Sequence, residues 1–203
     1  MNGYEKRTQD KKNQVLEAAF ELMSKDGGIE NLTVDEVSQK SNVGKTSIFK
    51  YFGSKENLIQ EVFKYFLDNL SKTTREIIGE NRTFEETIIA MSQNEINYLE
   101  KTSKSFYMNL MDFLTKKQND DLSLMMDQYT KESYSIMLDL FHRGRKEGKI
   151  DLKYSDEFLL LYFQAVIEGI SSPHIYPRLL PYTAQWTEVL IKGIAPNKPN
   201  TMI

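Results

Sequence analysis

The stretch Thr33–Lys55, TVDEVSQKSNVGKTSIFKYFGSK, decides how the rest of this chain is read. Thr33 and Glu36 have the T-x-x-E spacing of a capping box, in which each side chain meets an amide left unbonded at a helix start. Val34 and Val37 give the short helix that follows an apolar face, up to about Ser41. Asn42-Val43-Gly44 ends it: Asn tolerates the left-handed backbone of a tight turn, and Gly44 serves as the next N-cap. From Lys45 to Phe52 a helical pattern resumes, with Ile48 and Phe52 four residues apart on one side. Ser54 then caps a third, longer helix. Two short helices across a three-residue turn form a helix-turn-helix, whose second helix fits the major groove of DNA.

The charges point the same way. Between Glu36 and Glu56 there is no acid, while Lys40, Lys45, Lys50 and Lys55 stand five residues apart. Thr46, Ser47 and Tyr51 add hydroxyls able to bond phosphate oxygens, contacts that set register on a duplex. On this pattern Lys45, Thr46, Ser47 and Lys50 face the groove, and Thr33, Tyr51 and Lys55 hold phosphates. A lysine-dotted solvent face on an ordinary helical hairpin is the alternative that charge alone allows.

N-terminal to this stretch lies a polar arm of about ten residues, then Val15, Leu16, Ala19, Phe20, Leu22 and Met23 at helical spacing from Lys11 to Lys25. Gly27-Gly28 ends that helix by supplying positive φ. Phe20, Val37, Ile48 and Phe52 are the expected core of a small three-helix domain. C-terminal to it, Leu58, Val62, Phe66 and Leu70 form a four-residue stripe along one long helix from Ser54 to about Glu80. Further helices are expected over Phe84–Glu100, Ser103–Leu114, Asp120–Lys146, Ser155–Ser171 and Tyr182–Ile194, with Gly144 and Gly148 capping the third of these. The link SPHIYPRLLP is too proline-rich to be helical throughout. The fold class is therefore all-α, divided into residues 1–53 and residues 54–203.

Composition bounds the function. With 203 residues and 40% apolar content, one or two domains with a real core are expected. No run approaches the roughly 18 uninterrupted apolar residues of a membrane span; the longest candidate, Phe158–Ile170, contains Gln164 and Glu168. The polar N-terminus has no signal-peptide pattern, and the absence of cysteine excludes disulfides and thiol catalysis and suits the cytoplasm. Net charge is −3, and residues 61–203 carry all of it, because residues 1–60 hold nine basic and nine acidic side chains. DNA affinity must then come from a local patch and fall steeply with salt.

Little else carries chemistry. Asp139 and His142 have an i, i+3 ligand spacing, but a helical di-metal site needs two such motifs with glutamates, so no metal is assigned. No phosphate-binding glycine loop, Ser-His-Asp set or zinc motif can be assembled, and neither enzyme chemistry nor a cofactor is expected. A helical adaptor that binds protein in place of DNA remains the alternative.

The segments VLEAAFELMSKDGG and LTVDEVSQKSNVGKTSIFKYFGSKENL, with FKYF before Ser-Lys-Glu, resemble the TetR/AcrR-type bacterial transcriptional regulators. Asn42 stands where that family usually has Gly. Phe49 stands where it usually has a phosphate-binding Tyr, which leaves Phe49 the weaker contact beside Tyr51. The resemblance implies an N-terminal DNA-binding domain and a larger helical domain that dimerises and binds a small-molecule inducer. Six of the nine methionines fall between Met91 and Met137, interleaved with aromatic residues. Such adaptable side chains suit a cavity for a lipophilic effector, and Met91, Tyr98, Phe106, Tyr107, Met111, Met126, Tyr129 and Phe163 are its expected lining. The helix around Phe158–Ile170 is apolar on more than one face, as a helix buried on all sides is. Phe158, Tyr162, Ala165 and Gly169, with Trp186, Val189, Leu190 and Gly193 of the last helix, are the expected four-helix seam of a homodimer. The expected whole is a homodimeric repressor, bound to a double-stranded operator and released by its effector.

Overall fold

In a computed structural model of the chain, the described residues are 3–115, 120–170, 172 and 174–197, with side chains at all of these except 99, 115, 120–130, 176 and 177. Every regular element among them is helical: α1 (Gly3–Met23), α2 (Gly28–Asn31), α3 (Val34–Ser41), α4 (Lys45–Phe52), α5 (Lys55–Gly79), α6 (Phe84–Leu99), α7 (Lys104–Thr115), α8 (Asp120–Lys146), α9 (Asp156–Ile170), α10 (Tyr176–Leu179), a 3-10 turn (Leu180–Tyr182) and α11 (Thr183–Ile194). Helix α1 starts well before the expected Lys11. The polar arm is rich in strong helix formers, and its turns are tied by Arg7 Nε donating to the Gly3 carbonyl (3.0 Å) and by Gln9 donating to Asn13 (3.0 Å). At the other end, Gly27 takes φ +66°, as expected. Gly28 serves differently: a Cβ there would lie 2.2 Å from the Leu22 carbonyl oxygen, so the chain crosses itself too closely for any side chain.

The chain divides into two compact units. The first comprises residues 1–73 with 97–116, and the second residues 74–96 with 117–203. In the first, Val15, Ala19, Val37, Ile48, Phe52, Leu58 and Val62 are buried together, with Phe20 packed against them. That is the small-domain core expected from periodicity, extended by the stripe of α5. Helix α7 joins it. Phe106 is fully buried in an aromatic cluster whose ring centroids lie 5.5 Å from Phe20, 5.4 Å from Phe63 and 5.4 Å from Phe66. Each such ring pair adds about 0.5–1.5 kcal/mol beyond the area it buries. Hydrogen bonds fasten the start of α7 to the end of α1: the Ser103 amide donates to the Ser24 carbonyl (2.8 Å) and the Ser103 hydroxyl to that of Lys25 (3.2 Å).

The second unit is built on Phe84, Ile88, Leu140, Phe141, Ile150, Leu159, Phe163 and Ile194. Helix α6 begins at another reciprocal box: the Glu86 amide donates to the Thr83 hydroxyl (3.3 Å), and the Thr83 amide to the Glu86 carboxylate (3.0 Å). Gly148 ends the α8 turn at φ +69°, whereas Gly144 is needed for close packing. A Cβ on it would meet Ile150 at 2.8 Å and Phe84 at 2.9 Å. Beyond α8 the chain is held by Asp156, whose carboxylate accepts from His142 Nε2 at 3.0 Å and from Arg145. His142 is thus engaged with Asp156, and no group of side chains able to hold a metal occurs among the described residues.

Candidate nucleic-acid interface

The helix-turn-helix forms as its local chemistry dictates. At Thr33 the hydroxyl accepts from the Glu36 amide (3.2 Å), while Glu36 Oε2 accepts from the Thr33 amide (3.2 Å) and hydroxyl (2.8 Å). Asn42 closes α3 in the left-handed region at φ +55°, ψ +26°. The buried Val43 pins the turn, and its amide donates to Ser41 Oγ (3.3 Å). Gly44 is the N-cap of α4, Gly53 stops α4 at φ +79°, and Ser54 Oγ accepts from the Asn57 amide (3.1 Å) to start α5. The Glu56 carboxyl is held below its usual range by hydrogen bonds from its own amide and from Ser54. A fixed negative charge therefore follows directly after Lys55.

Helix α4 buries Ile48 and Phe52 and turns Lys45, Thr46, Phe49 and Lys50 to solvent, with Ser47 and Tyr51 half-buried. Phe49 is 48% exposed, an apolar ring on an otherwise polar face. The Tyr51 ring stands edge-on to Phe52, with Lys12 of α1 6.0 Å from its centroid. That cation adds to the basic edge of the site. Thr33 and Lys55 flank α4 at the starts of α3 and α5, Thr33 exposed and Lys55 half-buried.

The lysine spacing overstates the free positive charge. Lys40 is paired with Glu21 of α1 at 2.5 Å, and Lys45 with Asp35 of α3. Both acids lie outside the acid-free window, and only the fold brings them to it. The outward stripe of α4 is thus Lys50, without an acidic partner among the described residues, Lys45 shared with a carboxylate, and Thr46 and Phe49 between. Long basic and hydroxyl groups of this kind reach phosphates and base edges, and a ring can meet a thymine methyl.

The six described residues of the eight expected to line an effector cavity are divided between the two units. Tyr98, Phe106, Tyr107 and Met111 belong to the first unit, packed in or against the core beneath the DNA-reading helices. Met91 and Phe163 belong to the core of the second unit. The side chains of Met126 and Tyr129 lie outside the described residues. An open cleft does exist in the second unit, between α6 and α11, and none of the six lines it. The eight expected seam residues are distributed more simply. Phe158, Ala165, Gly169, Val189 and Gly193 are exposed, and Tyr162, Trp186 and Leu190 are half-buried. The Tyr162 hydroxyl of α9 lies 3.9 Å from where a Gly193 Cβ of α11 would stand.

Comparison with known proteins agrees with the site. The sequence model of the family described as bacterial regulatory proteins, tetR family, matches residues 15–62. The HTH-type transcriptional regulator YvaF of Bacillus subtilis is 22% identical over 153 residues, which is 75% of this chain and 77% of that one. The HTH-type transcriptional repressor KstR2 of Rhodococcus jostii is 20% identical over 194 residues, covering 81% of this chain and 93% of its own. Among solved structures, the transcriptional regulator FadR from Bacillus subtilis, in complex with stearoyl-CoA, superposes with a TM-score of 0.62 at 19% identity, over 89% of this chain and 98% of that one. The tetR-family sequence signature thus lies on the capped helix-turn-helix of residues 15–62, and over the rest of its length the chain shares the all-helical fold of solved transcriptional regulators.

Proposed function

We propose that the chain is a homodimeric repressor that sits on a pseudo-palindromic operator through α3 and α4 and leaves it when a lipophilic small molecule binds. The observation that carries this reading is the outward stripe of α4, Lys45, Thr46, Phe49 and Lys50, raised on a turn fixed by Asn42. In it Lys45, Thr46, Ser47 and Lys50 address the groove, Phe49 makes an apolar contact, and Thr33, Tyr51 and Lys55 hold phosphates. Residues 1–53 carry the DNA contacts, and residues 54–203 carry effector binding and dimerisation in the cytoplasm.

The dimer is supported by two neighbouring helices that leave large apolar side chains in solvent. Phe158 of α9 is 47% exposed and Val189 of α11 is 64% exposed. Large apolar side chains left in solvent on these helices suit an interaction surface. The lipophilic effector is supported by the likeness to FadR, whose structure holds stearoyl-CoA. An effector releases DNA only in so far as it binds the DNA-incompetent dimer geometry more tightly than the competent one.

The test is selection of bound duplexes from a random pool by the purified chain, followed by salt titration and sedimentation of the complex. The expected result is a palindromic sequence with half-site centres ~34–36 Å apart or a whole multiple of a turn, bound by two copies. Affinity independent of salt, or binding by a single copy, refutes the reading.

A further inference from the structure

The cleft between α6 and α11 has a volume of about 370 Å³, within the range of roughly 300–1,000 Å³ in which proteins hold small molecules. Its apolar walls are Ile89 and Ile96 of α6 and Ala184 and Ile191 of α11. The charges at its rim are already matched: Glu188 with Lys192, and Glu85 with Lys149 at 3.0 Å. An ionic ligand would find no counter-charge free to offset its desolvation. Among the polar side chains of its wall, Thr187 is the buried one. Thr187 lines the cleft, is 5% exposed, and its hydroxyl takes no hydrogen bond among the described residues. A hydroxyl in the wall of the cleft can donate to or accept from a molecule held there.

We propose that this cleft is a binding site for a neutral, mainly apolar molecule with one hydrogen-bonding group directed at Thr187, and that α11 passes its occupancy to the dimer seam. The relay follows from helical geometry. At about 100° per residue, Ala184, Thr187, Glu188 and Ile191 fall on one face of α11. Trp186, Val189, Leu190 and Gly193 fall on the face roughly 180° away. A molecule wedged against the first face displaces the second, which is the expected contact with the other copy. The site itself stands apart from the repressor reading; only its effect on DNA rests on that reading.

The test uses N-phenyl-1-naphthylamine, a neutral arene with a single N–H, titrated into the intact chain. Its fluorescence is read together with energy transfer from Trp186, the sole tryptophan. Saturable binding is expected. Ala184→Phe should fill the cleft and abolish it. Thr187→Val, which keeps the side-chain shape, should weaken it about threefold to tenfold, the worth of one hydrogen bond. Circular dichroism confirms that both variants fold. No saturable binding by the wild type, or wild-type affinity in both variants, overturns the site. With the selected duplex present, the dye should loosen DNA binding about fivefold to 150-fold, and Ala184→Phe should suppress that effect. If the dye fills the cleft and DNA affinity stays constant, the relay through α11 is overturned and the site stands. If no duplex is bound at all, the repressor reading fails, and the dye titration alone still decides the site.

Discussion

Asp35→Asn should strengthen DNA binding, although it removes no clash and touches no expected base contact. Asp35 lies in the first turn of α3 and holds Lys45 of α4 in a pair whose members are both largely exposed. Such a surface pair contributes ~0–1 kcal/mol to the fold, and a carboxylate in the first turn adds ~0.3–1 kcal/mol through the helix dipole. The variant therefore folds, with a small loss of stability. What changes is the cation count at the interface. Each phosphate neutralised adds about 0.9 to the slope of log affinity against log salt. Freeing Lys45 should steepen that slope by up to about 0.9, so that raising salt from 50 to 200 mM costs the variant about 3.5-fold more affinity than it costs the wild type. Lys55→Ala should shift the slope by the same amount in the opposite direction, because Lys55 is an expected phosphate contact. The assay is fluorescence anisotropy of a labelled duplex at four or five salt concentrations. Slopes that stay put in both variants, or move together, would refute the docking of this face of the helix-turn-helix against DNA.

Three further outcomes are expected. Ala165→Glu on α9 puts a charge in the exposed apolar face and should yield monomers by sedimentation that lose duplex binding, while circular dichroism stays helical. Gly144→Ala forces a methyl against the fully buried Ile150 and Phe84; its overpacking cost of ~1–3 kcal/mol exceeds the ~1 kcal/mol gained in helix propensity, a net loss of about 1 kcal/mol by urea denaturation. For Asp156→Asn the pH dependence is diagnostic. Hydrogen bonds from His142 first, then Arg145, hold the Asp156 carboxyl below its usual range, so its contribution is complete above the unfolded value of ~3.9 and is lost as pH falls through the folded one. The difference in melting temperature between wild type and variant should be widest near neutral pH and close below about pH 4; a gap that is constant with pH would contradict it.

What the sequence disclosed was set by how local each feature is. The Thr33–Glu36 box, the Asn42 turn and the Ser54 cap each depend on residues within three positions, and all formed as read. The Thr83–Glu86 box obeys the same T-x-x-E spacing and went unread only because the hydrophobic pattern began after it. Lysine pairing was out of reach: Glu21 and Asp35 sit on other helices, and periodicity carries no information about which surfaces meet. Gly144 looked like a cap because it is near a helix end, while its real constraint comes from Phe84, sixty residues away in sequence. The aromatic residues Tyr98 and Phe106 pack in or against the core of the first unit. Rings at helical spacing mark burial, and burial in a solid core has the same sequence signature as burial around a ligand.

The placement of α7 has a consequence for how the protein is made. The unit that holds the DNA-reading helices is discontinuous, since residues 97–116 complete a core begun by residues 1–73. Phe106, the ring on which Phe20, Phe63 and Phe66 converge, is translated after all of its partners. At ~5–20 residues per second, α1–α4 wait roughly 2–9 s after the first half of α5 is made before α7 is complete. During that interval the faces of Phe20, Phe63 and Phe66 that Phe106 covers stay open, so the core under α3 and α4 is complete only when more than half of the protein has been translated.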